Sequence, residues 1–411
     1  METTKEKDNI QNTLKVLQEK SQHIEKLLEK GNDVIIFQVG SHSIKYGFAN
    51  QMLPQSVRTT LGYYHQNPPQ KQPLDLSLLE EVDPFLPELE DSLRKKGNLK
   101  SDVKQSAASK LKQKSRIEIS PSLSQAKFEK LDPKKIYFED DIYVHQNNPN
   151  FVIREPIKYG LFNLSKNYRE NDILSDIEQL IRYILEHKLE LSQLEFSKYS
   201  IILIVPDVFH RGQVKGIINI FMKRLAFARI YLHQESVLAA FGTCLSQACV
   251  VDIGSDKINI CCIDEGVIIP QTIIRKFYGG KEVDLFLHRM LTKKNSYSYM
   301  SKNVKLDITI PGDLNQIESV KQLGSSYQHL EDSGNIIYEG ALLRNQSEVL
   351  LVAHGDPFVI APHIFFYSNL LNSIKQRDPE NEDYFNFQSE YFDSYFDPED
   401  YYDEPGKIPN E

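Results

Sequence analysis

The sequence predicts an α/β fold built on a mostly parallel sheet. Two observations carry that expectation. Between residues 173 and 241 apolar segments run helix, strand, helix, strand, helix, which is the order of a sheet with crossover helices. Far apart in the chain, at 34–49 and 249–263, two strand pairs each break at a glycine and return as alternating apolar segments.

Composition sets the frame. The chain has 411 residues, 40% apolar and 26% charged, enough for two or three cored domains. Its longest apolar runs, 201–205 and 349–353, are strand length, far below the ~20 residues that cross a bilayer. Met1 opens a mixed-charge segment rather than a secretory leader, which predicts a reducing compartment. The four cysteines, Cys244, Cys249, Cys261 and Cys262, lack metal-ligand spacing and read as buried thiols. The net charge of -9 is concentrated: residues 378–404 hold eleven Asp and Glu and no Lys or Arg, leaving the remainder at +2.

In chain order, Ile10, Leu14, Leu17, Ile24, Leu27 and Leu28 predict an amphipathic helix stopped at Gly31-Asn32. The first hairpin follows, then a strand or loop at 52–65. From 66 to 135 the pattern fails. Prolines and an acidic patch give way to Arg94, Lys95, Lys96, Lys100, Lys104, Lys110, Lys112, Lys114 and Arg116 against the single acid Asp102. Such a stretch buries too little surface to order itself. It reads either as a solvated loop or as a flexible arm on DNA phosphates, and without an aromatic residue to stack on bases its contacts would be with the backbone. Beyond it, residues 136–160 regain order, and Ile173, Ile177, Leu180, Ile181, Ile184 and Leu185 form a helical stripe. A buried strand at 201–205 stops at Pro206, Val214 to Leu225 form a second helix, and a strand ending at Leu232 enters a helix at 235–241. Tyr278-Gly279-Gly280-Lys281 opens another apolar helix, and 363–367 after Ala361-Pro362 reads as a strand.

At each hairpin a glycine lets the turn present backbone N–H groups, which suits phosphate, and Asp252 places a carboxylate where it holds Mg²⁺ through water. These paired hairpins, with Ile202-Leu203-Ile204-Val205-Pro206-Asp207, His233-Gln234-Glu235-Ser236-Val237, Val251-Asp252-Ile253-Gly254 and Tyr278-Gly279-Gly280 with Asp284, resemble the actin superfamily. That resemblance implies an actin-like ATPase (ribonuclease H-like) fold clamping ATP between two loops. It divides the chain into an N-terminal helix or extension at 1–31, a first lobe at 32–160 with a disordered insertion at 66–135, a second lobe at 161–377, and a disordered acidic aromatic tail at 378–411.

Carried over residue by residue, the resemblance assigns ATP to Gly40, Ser41, His42 and Lys45 on the first loop and Asp252, Gly254 and Ser255 on the second, with Mg²⁺ at Asp252. It also exposes departures. Gln38 stands where actins place Asp, His42 replaces a loop glycine, and Ser255 stands where actins place a second Asp. Glu235 occupies the slot of the water-positioning Gln. No catalytic residue is therefore assigned. An actin fold needs roughly a hundred further residues, including an adenosine loop, so the last part of the large lobe is expected to be missing. The tail then reads as the mark of an incomplete chain or as a recognition peptide for a basic partner. The segments most resemble nuclear members of the superfamily that act as non-catalytic subunits of Ino-eighty type chromatin remodellers. Their implied partners are a remodeller motor subunit, nuclear actin, other actin-related subunits and nucleosomal DNA, with no membrane. The competing reading is an ATP-binding actin-like switch with slow or no hydrolysis.

Overall fold

The computed structural model describes residues 31–68, 131–146, 148–293, 297–299, 311–324, 337–344, 347–354, 361–366 and 392–393. The expected helix at 10–30, the basic run at 94–116 and all of the tail except residues 392–393 lie outside the described residues.

The chain begins with β1 (Val34–Val39), β2 (Ser43–Phe48), β3 (Gln55–Arg58) and β4 (Leu61–Tyr64), then helix α1 (Asp140–His145) and the short strands β5 (Phe151–Arg154), β6 (Ile157–Lys158) and β7 (Leu161–Phe162). Helix α2 (Glu170–Tyr183), β8 (Ser200–Val205), β9 (Phe209–His210), α3 (Arg211–Asn219), β10 (Arg229–Gln234) and α4 (Glu235–Gly242) follow. Next come β11 (Gln247–Ile253), β12 (Ile258–Asp264), β13 (Val267–Ile268), β14 (Ile274–Lys276) and α5 (Gly280–Lys293). The remaining described elements are β15 (Tyr297–Tyr299), α6 (Pro311–Gly324), β16 (Ile337–Arg344), β17 (Ser347–His354) and β18 (Phe392–Asp393).

The first sheet has the order β10-β8-β1-β2-β3. β1 and β10 flank β8 in parallel, while β2 and β3 return antiparallel. Strands from both sides of position 160 thus share one sheet, so the expected lobe boundary does not separate its hydrogen bonds. Buried residues from Ile35 to Ile230 form one continuous core beneath it, with Ile173, Ile177, Leu180 and Ile181 of α2 filling one face. The helical stripe predicted this packing because residues three and four apart share a face. Both α2 and α3 end in a π-helical turn, at Ile184–Lys188 and Ile220–Arg224.

One residue breaks the apolar stripe. Asp176 on α2 is 2% exposed, yet it accepts hydrogen bonds from Tyr63 Oη at 2.6 Å and Tyr168 Oη at 2.7 Å, with Arg154 3.5 Å away. The Arg154 guanidinium in turn lies over both tyrosine rings. The cluster ties α2 to β4 and β5. Replacing Asp176 with Ala should cost about 2–4 kcal/mol in urea unfolding, since it strands two hydroxyls and a cation, and Asp176→Asn should cost less.

The second sheet runs β11-β12-β13, with β14 also paired to β12. Helix α4 covers its inner face through Val237 and Ala240 against Cys261, Ile263 and Ile268. Three expectations are corrected here. Only Cys261 is buried, because the period of two along β11 turns Cys249 outward and Cys244 sits exposed in a turn. Of the segment expected as a strand at 363–367, residues 363–366 lie in a 3-10 turn, Ala361–Phe366, where Pro362 fits the fixed φ of a helical start better than a ladder, and residue 367 lies outside the described residues. Within the tail expected to be disordered, Phe392 and Asp393 pair antiparallel with His210 and Phe209, satisfying the edge of β9. Among the described residues no helix is long and apolar enough to cross a membrane.

Candidate phosphate cleft

The parallel strands β1, β8 and β10 deliver their C-terminal ends to one place, the position where open α/β sheets bind ligands. Two turns meet there. In the first, the Gly40 N–H donates to the Ser43 carbonyl at 3.2 Å; in the second, the Gly254 N–H donates to the Lys257 carbonyl at 2.9 Å. The turns close alike, and each glycine has a reason: an added Cβ would meet the Ser43 oxygen at 2.9 Å or the Lys257 oxygen at 3.1 Å. Both glycine N–H groups are consumed in closing the turns. Any phosphate would be read by the residues that follow, Ser41-His42 and Ser255-Asp256.

A third segment bridges the turns. Tyr159 and Gly160 have φ of 56° and 76°, and this left-handed bend directs their N–H groups to opposite sides. The Gly160 N–H donates to Ser41 Oγ at 2.8 Å, and the Tyr159 N–H donates to the Asp256 carboxylate at 2.6 Å. The second turn is also held from below. Gly280 and Lys281 N–H donate to the Gly254 and Ser255 carbonyls at 2.9 and 2.7 Å. Contact is so close that a Cβ on Gly279 would lie 2.4 Å from the Gly254 oxygen. In the sequence this Gly pair opens an apolar helix and belongs to the segments that resemble the actin superfamily.

At the centre sits Glu235, the first residue of α4. Its Oε1 accepts from Lys257 Nζ and, at 2.7 Å, from Asn259 Nδ2, while Gln38 Nε2 lies 3.4 Å from Oε2. Arg275 Nε extends the network to Asn259 Oδ1 at 2.9 Å. The Glu235 and Lys257 side chains are each 10% exposed. Burial raises the Glu235 pKa, but Lys257, Arg275 and Asn259 outweigh it and hold the carboxylate below its usual range. Below Glu235, fully buried Asp207 accepts the Ser236 N–H at 2.9 Å and Ser236 Oγ at 2.6 Å, fixing the first turn of α4. Burial, then the Glu235 charge, raises the Asp207 pKa.

Half-buried Asp252 pairs in register with Asn259 on the inner face. Burial and the Glu235 charge raise its pKa, against the opposing pull of Lys257 and Lys45. Lys45 itself is exposed on β2. His42 is engaged elsewhere: its Nε2 lies 3.0 Å from Glu318 on α6, whose other oxygen is 2.8 Å from Arg58. This cluster borders a polar cavity of about 610 Å³ that Tyr143, Lys188 and Gln322 also line. Thus Gly40, Ser41, Asp252, Gly254 and Ser255 converge with Glu235 around the paired turns, whereas His42 belongs to a contact between the first hairpin and α6. The sequence reading missed Lys257, Asn259 and Tyr159-Gly160. Lys257 and Asn259 were detectable as polar residues at period two on the face of an otherwise apolar strand.

The His42–Glu318–Arg58 contact yields a pH prediction. Burial raises the Glu318 pKa, but His42 and Arg58 overcome it and bring it from 4.5 to about 2. A depressed carboxylate contributes stability that is complete above its unfolded value and is lost as pH falls from 4.5 through about 2. Glu318→Gln should remove on the order of 2 kcal/mol at neutral pH and flatten that part of the acid-unfolding profile, read by circular dichroism.

The actin family model matches residues 29–338. A protein of Schizosaccharomyces pombe named as a probable actin-related protein 8 is 32% identical over 205 residues, covering 46% of this chain and 30% of that protein. Actin-related protein 8 of Danio rerio is 28% identical over 376 residues, covering 85% and 58%. The chain therefore spans 58% or less of the length of these two relatives. Among solved structures, human actin-related protein Arp8 in its ATP-bound state matches with a TM-score of 0.66 at 22% identity, covering 83% of this chain and 70% of that one.

Proposed function

The chain belongs to the actin family, and from that premise and the chemistry of its cleft we propose that it is a non-catalytic actin-related subunit of a nuclear chromatin-remodelling assembly of the Ino-eighty type. The observation that carries the non-catalytic part is the Glu235–Lys257 pair. A water-positioning group must present a free polar atom to the nucleophile, and a general base needs a pKa near the working pH. Glu235 has its Oε1 committed to Lys257 and Asn259, its Oε2 3.4 Å from Gln38 Nε2, and its pKa held down, away from that of a base poised near the working pH. With Gln38 and Ser255 at the positions of the two further carboxylates, the charge that phosphoryl transfer requires is not assembled.

The paired turns still suit phosphate, so ATP is held as a structural ligand that fixes the two sides of the cleft. Similarity to actin-related protein 8 supports an actin-related identity, from which the chromatin assembly and the nuclear location are proposed; the partners in this proposal are a motor subunit, nuclear actin and other actin-related subunits. The nine cations between Arg94 and Arg116 would meet nucleosomal DNA through its phosphates. Affinity purification of the tagged native protein from nuclei tests the assembly. Recovery with a Snf-two type motor and actin in one large complex is expected. Recovery of the protein alone, with the remodeller intact after its removal, would refute the reading.

A further inference from the structure

The family implies Mg²⁺ at the phosphates, and the donor set here does not fit it. A hard divalent cation takes several oxygen ligands in near-octahedral array and favours carboxylates. Between the two turns the positions offer the Gln38 amide, the Ser255 hydroxyl and the Asp252 carboxylate, while the Asp256 carboxylate accepts the Tyr159 N–H at 2.6 Å and Glu235 is bound to Lys257. Among the described residues no three His, Cys, Asp or Glu come together to hold a metal. A cation is nevertheless built into the cleft. The Lys257 side chain lies against Gly160, where a Cβ would meet its Cδ, Cε and Nζ at 3.2–3.4 Å, and Gly160 itself is bonded to Ser41 of the first turn. The ammonium thus stands between the two hairpins. It has three N–H donors, of which Glu235 takes one.

We infer that Lys257, seconded by Lys45 across the cleft, supplies the positive charge at the phosphate chain, so that this site takes a nucleoside triphosphate without a divalent cation. The inference rests on the proposed phosphate-binding reading and adds to it the form of the ligand, free ATP rather than its metal complex. Two ammonium groups acting on Asp252 oppose entry of a divalent ion and favour a polyanion. Glu235, in this arrangement, positions Lys257 rather than water. An ammonium also forms charge-assisted bonds to phosphate as a point charge.

Calorimetric titration of the full chain with ATP, once in excess EDTA and once in excess Mg²⁺, tests the inference. Dissociation constants agreeing within about threefold are expected. Binding that appears only with Mg²⁺, or tightens tenfold or more with it, would overturn the inference while leaving ATP binding intact. No binding in either buffer would refute the phosphate reading itself. Because Lys257→Met alone strands Glu235, the companion variant is Glu235→Gln with Lys257→Met, which replaces the ion pair by neutral groups of similar size. Its EDTA affinity should fall by about 10-fold or more, the loss of one charge-assisted bond. An unchanged affinity in a variant that melts like the parent would show that Lys257 is not the cation.

Discussion

Lys257→Met should be among the most destabilising single substitutions in the protein, at about 3–5 kcal/mol, because it removes the partner of a carboxylate that stays buried. The Glu235 and Lys257 side chains are each 10% exposed, so water cannot replace the lost ammonium. The pH dependence gives the signature. In the parent, Glu235 has a lowered pKa, so its contribution is complete above the unfolded value, about 4.5, and is lost as pH falls below it. In the variant, burial acts without its main counterweight and the pKa rises, so stability instead falls as pH increases. The gap between the two proteins should therefore widen from pH 4 to pH 7 in urea titrations. Adding Glu235→Gln should recover most of the loss, since a matched pair of neutral groups leaves no orphan charge.

Gly279→Ala should cost about 2–4 kcal/mol and also weaken ATP binding. The new methyl would stand 2.4 Å from the Gly254 oxygen and 2.7 Å from Ser255 backbone atoms. These are main-chain neighbours in a turn held by Gly280 and Lys281, so relief requires moving the turn itself. Gly242→Ala is the control. A Cβ at that position of α4 meets nothing within 4 Å, and alanine is the better helix former, so the change should be neutral or stabilise by up to about 1 kcal/mol. Thermal melts and ATP titration of both variants separate loss of the phosphate turn from a general intolerance of glycine replacement.

The elements of the first sheet were legible because their signals are local. β8 carries a five-residue apolar run, Ile201 to Val205, ended by proline, α2 carries its apolar residues at three and four, and the hairpins announce themselves by glycine between alternating segments. Asp176 was not legible. A carboxylate inside an apolar stripe has no partner visible in sequence, and Tyr63 lies 113 positions away. The same limit governs the cleft. Gly40, Gly254 and Asp252 follow from turn chemistry, but the union of Gln38, Glu235, Lys257, Asn259 and Arg275 depends on which strand ends converge, and that is a property of sheet order. His42 shows the converse. Its neighbours in sequence placed it on a phosphate turn, whereas Glu318, 276 positions later, engages its side chain.

The most direct measurement is single-turnover hydrolysis of γ-labelled ATP by the purified chain in Mg²⁺ at neutral pH. Phosphate release no faster than in protein-free buffer is expected, with Glu235→Ala indistinguishable from the parent. Release well above that background, abolished by Glu235→Ala, would mean that Glu235 serves the attacking water rather than Lys257, and would contradict the assignment of a non-catalytic cleft.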